Sequence, residues 1–224
     1  MYYHKTACRV RLKPCDYEFI HATFIRAGES EETLETLFSD QASRDLLLDD
    51  ARLFQEIIDC PKLLLFSPSL YFYVLVRHVF LDVGLEGRAL ADYVAAVLEH
   101  FLSEEDNPKN LYWVDFCESI ERGNPTDCFY KTLDWANAAL LMTGVFPDFI
   151  AQREQRRGAP SLDFYESAAA SCYRMAGGHS LALELNLNEV LAMLSEAFPL
   201  ARKGLNAMRD RLIFIRQPWP LDLE

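Results

Sequence analysis

Between Leu63 and Leu85 the chain reads Leu-Leu-Leu-Phe-Ser-Pro-Ser-Leu-Tyr-Phe-Tyr-Val-Leu-Val-Arg-His-Val-Phe-Leu-Asp-Val-Gly-Leu. Past its Ser67-Pro68-Ser69 start, this stretch is apolar on every helical face except at Arg77, His78 and Asp82. A helix without a polar side is stable only when surrounded, so residues 68–83 are expected to form a central, buried helix. The charges it carries must then find partners inside the fold, because an unpaired buried charge costs several kcal/mol, roughly.

Helix starts and stops divide much of the remaining chain. Ser67-Pro68, Asn107-Pro108 and Asn124-Pro125 each set an N-capping side chain before a proline that lacks the N–H the first helical turn would leave unpaired. Glycines at 84, 123, 144, 158 and 177 mark expected stops. Together these signals predict helices over residues 42–59, 68–83, 87–102, 108–122, 125–143, 147–157, 160–176 and 188–214, with a short one near 31–38. In 87–102, Leu90, Tyr93, Val94, Val97, Leu98 and Phe101 recur at helical spacing with Arg88, Asp92 and Glu99 elsewhere, which predicts one buried and one wet face. Cys8, Val10 and Leu12 alternate with Arg9, Arg11 and Lys13, which suits a short edge strand or extended arm within residues 1–28. The end, from Pro218 on, cannot continue a helix, so residues 216–224 read as an extended tail that Trp219 could pin. The expectation is an all-α fold: a single compact multi-helix bundle of about eight helices forming one domain over residues 1–224.

Composition narrows the partners. The 224 residues carry 34 acidic against 22 basic side chains, a formal net charge of −12, so this acidic protein's average surface repels phosphate backbones. Nucleic acid and anionic membranes are not expected partners. The apolar run from Leu63 to Val76 is shorter than the roughly 20 residues that span a bilayer. The opening Met-Tyr-Tyr-His-Lys-Thr-Ala-Cys-Arg lacks the apolar core of a secretory signal, and a cytoplasmic location is expected. Six dispersed cysteines without a Cys-x-x-Cys pair read as free thiols.

Candidate chemistry centres on the apolar helix. Tyr73 and Arg77 lie four apart on one side, and His78 and Asp82 form a second such pair about 100° around. Tyr73, Arg77 and His78 are therefore the candidate ligand-binding residues: a buried guanidinium beside a phenol can hold an anion in an apolar cavity. The competing role for Arg77 is a structural ion pair to a carboxylate on a neighbouring helix. The single Glu-x-x-His spacing, Glu18 to His21, does not make a di-iron site, and neither a metal nor a cofactor is expected. Phosphate-binding loops, dinucleotide fingerprints and nucleophile elbows are absent. Cys117 and Cys172 are candidate nucleophiles, with Arg174 as the one adjacent cation. The arginines at 153, 156 and 157 suit a solvated helix end. The aromatic set of Tyr112, Trp113, Phe116, Phe129, Tyr130 and Trp135 reads as core before it reads as a pocket wall.

Leu-Met-Thr-Gly-Val-Phe-Pro at 141–147, Gln-Arg-Arg-Gly-Ala-Pro at 155–160 and Phe-Tyr-Glu at 164–166 resemble a pattern in an uncharacterised group of bacterial all-helical proteins. That resemblance, confined to residues 137–173, implies a bacterial origin and one helical domain and carries no functional residue. The resulting expectation is a helical binding module for a small apolar or anionic metabolite or a protein partner, of undetermined oligomeric state. The alternative is a cofactor-independent helical enzyme similar in size to heme oxygenase or thiaminase-like bundles, an analogy of fold alone.

Overall fold

The computed structural model describes residues 7–60, 65–103, 113–157 and 159–212. A 3-10 turn, η1 (Cys8–Arg11), leads into α1 (Pro14–Arg26), α2 (Glu31–Ser39), α3 (Gln41–Leu48), α4 (Ala51–Asp59) and α5 (Pro68–Asp82). Then follow α6 (Arg88–Ser103), α7 (Trp113–Glu121), α8 (Pro125–Val145), α9 (Pro147–Arg157), α10 (Leu162–Gly177), α11 (Ser180–Glu184) and α12 (Asn188–Leu212). The described residues are thus all-helical, with twelve α-helices in place of the expected eight or so. None of these helices is long and apolar enough to cross a membrane.

Two of the three cap-proline starts hold their helices as expected. Ser67 accepts from the Leu70 N–H ahead of α5, and Asn124 from the Asp127 N–H ahead of α8. The third, at Asn107, lies outside the described residues, as does the tail at 216–224 with Trp219. Helix α5 buries ten of its fifteen residues, Arg77 among them, and packs against η1, α4, α6 and α12. On the other side of α12, α8 and α10 complete a second set of packed helices. The last turns of α8 are as enclosed as α5: every residue from Ala139 to Val145 is buried.

Several boundaries differ from the expectation, each for a local reason. Residues 14–26 form a helix where an extended arm was expected; Pro14 occupies the first position and the Asp16 carboxylate reaches back to the Lys13 N–H at 2.7 Å. Phe19, Ile20, Thr23 and Phe24 form its buried face, and the alternation at 8–12 belongs to a 3-10 turn, not a strand. The single helix expected over 42–59 is two, because Asp50 turns its carboxylate onto the Arg52 N–H and starts α4 afresh, with Asp49 closing α3. Helix α6 has no wet face along its middle: residues 90–98 are buried all round. Helix α12 bends at Ala197, two residues before the internal Pro199, whose ring cannot accommodate a straight helix.

Gly144 is not a stop. It lies inside α8, where a Cβ would sit 2.8 Å from Cβ of Leu205 on α12. Its function is close helix approach, so Gly144→Ala sets a helix-propensity gain of about 1 kcal/mol against overpacking of about 1–3 kcal/mol. The Leu205 Cβ is tied to its backbone and cannot swing away, so the expected result is a net loss of stability in urea denaturation. A variant more stable than the parent would show that the two helices separate at little cost.

Candidate functional site

Helix α5 lays its polar groups on two sides, and each meets different company. The Arg77 guanidinium donates from Nε to Asp49 Oδ1 at 2.7 Å, from Nη2 to Asp49 Oδ2 at 3.0 Å and from Nη1 to the Glu86 carbonyl at 2.7 Å. Arg88 donates to the same Asp49 Oδ2 from Nε and Nη2, at 3.0 and 2.7 Å. Burial works to raise the Asp49 pKa, but the hydrogen bonds from Arg77 and Arg88 override it and hold the carboxyl below its ordinary range. All three nitrogens of Arg77 are therefore occupied from within the protein, the geometry of a structural pair.

One helical turn earlier, Tyr73 is fully buried, and its hydroxyl has no hydrogen-bond partner among the described residues. The Arg9 guanidinium lies 5.6 Å from the Tyr73 ring centroid. Arg9 donates from its backbone N–H to Asp92 Oδ1 at 3.1 Å and from Nε to Asp92 Oδ2 at 2.7 Å, and its Nη1 binds Asp45. Burial raises the Asp92 pKa despite Arg9, and burial of Tyr73 likewise pushes its phenol up. Three arginines and three aspartates from η1, α5, α6 and the α3 segment thus form two ion clusters flanking one phenol. A third set lies alongside, where Glu99 takes Arg11 at 2.8 Å and the Ser69 hydroxyl at 3.0 Å.

His78 points elsewhere. Its ring stacks on Phe54 of α4 at 4.3 Å and 20°, its Nε2 is buried without a hydrogen-bond partner among the described residues, and burial lowers its pKa against the pull of Asp49 and Asp82. The structure keeps Tyr73 and Arg77 together and sends His78 to another surface of the helix.

Among the described residues, a cleft opens on each side of Arg9 beside this network, and Tyr73, Arg77 and His78 line neither of these two. The first, of about 210 Å³, lies between η1, α1, the end of α2 and α3, with Arg9, Leu12, Tyr17, Phe38, Arg44 and Leu47 in its walls. The second, of about 290 Å³, lies between η1, α6 and the start of α12, with Asp92, Tyr93, Leu187 and Val190. Arg9 lines both, so its clusters with Asp45 and Asp92 form the partition between them.

The remaining candidates fall into structural roles. Burial pushes the Cys172 thiol up to about 12, which disfavours the thiolate a nucleophile needs. Trp113, Phe116 and Trp135 pack within 5.2 Å of one another as core, while Tyr112 lies outside the described residues. His21 pairs with Glu31 at 2.7 Å. Arg153 stacks over Phe149 at 5.4 Å, and the Arg157 side chain lies outside the described residues. Among the described residues, no group of three or more histidine, cysteine or carboxylate side chains is placed to hold a metal.

Sequence reasoning does not single out Arg9, Arg44, Asp45, Asp49 or Asp92 as site residues. One signal is present: Arg88, Asp92 and Glu99 sit at i, i+4 and i+11, a single helical stripe, and each of them receives or gives an ion pair from that stripe. No protein-family model, curated protein or solved structure matches the chain.

Proposed function

We propose that this protein is a small-molecule-binding module whose ligand enters the cleft between η1, α1 and α3. The observation that carries this reading is the cleft's construction: an ion-locked guanidinium in the wall, Arg9 held by Asp45 and Asp92, set among leucines and aromatic rings. Such a site combines apolar surface with a few fixed polar groups, which is how small-molecule sites obtain orientation as well as affinity. Arg77, with its donors already satisfied, contributes by holding α3 and α5 in register.

The test is thermal denaturation against a panel of small apolar and anionic compounds. A ligand at 100 times its Kd adds about 2.7 kcal/mol of stability, a rise in Tm of about 5–10 °C for a chain of this size. Gln41 is exposed on the cleft rim at the first position of α3, so Gln41→Trp fills the opening without disturbing the core. The expected result is a rise in the parent protein that Gln41→Trp abolishes. A panel without a hit, or one whose hits stabilise Gln41→Trp equally, would overturn the proposal.

A further inference from the structure

Arg44 separates this cleft from an ordinary surface groove. In a chain of net charge −12, Arg9, Arg11, Arg26, Arg52, Arg77 and Arg88 each bind a carboxylate. The half-buried Arg44 side chain lines the cleft and makes no hydrogen bond or ion pair with any described residue. The carboxylate it influences, Asp40, is exposed and already accepts from the Ser43 N–H and hydroxyl. Asp45, in the cleft wall, is taken by Arg9. The cleft therefore holds one guanidinium in excess of its carboxylates, partly withdrawn from water, where a charge-assisted bidentate bond counts most.

The opposite requirement comes from the apolar wall. The rings of Tyr17 and Phe38 meet edge to face at 5.9 Å and 71°, and both line the cleft beside Leu12 and Leu47. Its volume of about 210 Å³ is below the roughly 300 Å³ at which ordinary small-molecule pockets begin. A single ring fits that scale, and one guanidinium left over matches the single charge of a carboxylate and not the double charge of a phosphate monoester.

We infer that the cleft binds a small aromatic monocarboxylate, its carboxylate on the Arg44 guanidinium and its ring against Tyr17 and Phe38. This rests on the binding-module reading above and deepens it.

Phenylacetate and its neutral isostere phenylacetamide, titrated by calorimetry into the parent protein, Arg44→Gln and Arg44→Lys, test the assignment. Phenylacetate is expected to bind the parent at least tenfold tighter than phenylacetamide; Arg44→Gln should erase the preference, and Arg44→Lys should keep part of it. Because the Arg44 side chain makes no hydrogen bond or ion pair with any described residue, an unchanged Tm in Arg44→Gln verifies that the fold is intact. Equal binding of acid and amide, a preference that survives in Arg44→Gln, or no binding of phenylacetate would each overturn the assignment of ligand class. The module reading fails separately, when no compound of the wider panel depends on an open cleft as judged by Gln41→Trp.

Discussion

Arg77→Met lowers stability by about 3 kcal/mol, the lower end of the cost of stranding one member of a buried pair, which is about 6–12 °C in Tm for a chain of this size. The substitution preserves the side chain's bulk and removes three donors, leaving Asp49 with Arg88 alone and the Glu86 carbonyl without its guanidinium partner. Arg88 is why the loss stays at the lower end: it is about a third exposed yet bound to Asp49 at 2.7 Å. A double-mutant cycle in urea separates the pair from the packing. Asp49→Asn alone should also destabilise, and the combined variant should lose less than the two single losses added together. Strict additivity, or a loss under about 1 kcal/mol, would show that the Arg77–Asp49 pair behaves as a solvent-screened surface contact.

The helical class and the enclosure of residues 68–83 are legible because they depend on local pattern. A stretch without a polar side has to be covered, and Ser67-Pro68 states where it begins. The break between α3 and α4 is not legible in the same way. Asp49-Asp50 sits in a sequence whose apolar spacing continues across it, and only the turn of the Asp50 carboxylate onto Arg52 N–H interrupts the helix. That break matters for the ion network, because it frees Asp49 at the end of α3 to meet Arg77 and Arg88.

The α6 stripe fails for a related reason. Hydrophobic periodicity sorts residues by polarity, and so it assigns Arg88, Asp92 and Glu99 to water. Their actual partners, Asp49, Arg9 with Arg11, and Ser69, come from elements far away in the chain. A charge stripe facing water and one facing an opposite stripe have the same sequence signature. The cleft inherits this limit, since Arg44 is distinguished only by the absence, among the described residues, of a carboxylate of the kind its neighbours possess.

Arg9→Met tests the network from its other end and is expected to cost about 3–5 kcal/mol. One guanidinium serves two carboxylates there, and Asp92 is 3% exposed, so its removal strands Asp92 in a place water does not reach. The pH dependence carries the diagnosis. Burial already raises the Asp92 pKa above its ordinary 3.8 with Arg9 in place, and removing the cation raises it further. A carboxyl whose folded pKa exceeds its unfolded one favours the folded state below the unfolded value, and that contribution is lost as pH rises through the folded value. The deficit of Arg9→Met should accordingly be largest at neutral pH and shrink on acidification toward pH 4, roughly, as Asp92 takes up a proton. Adding Asp92→Asn should restore much of the loss at neutral pH by making the stranded group neutral. A deficit independent of pH would instead assign the effect to lost packing of Arg9 against the Tyr73 ring, and the partition between the two clefts would then be steric, with no part played by its charges.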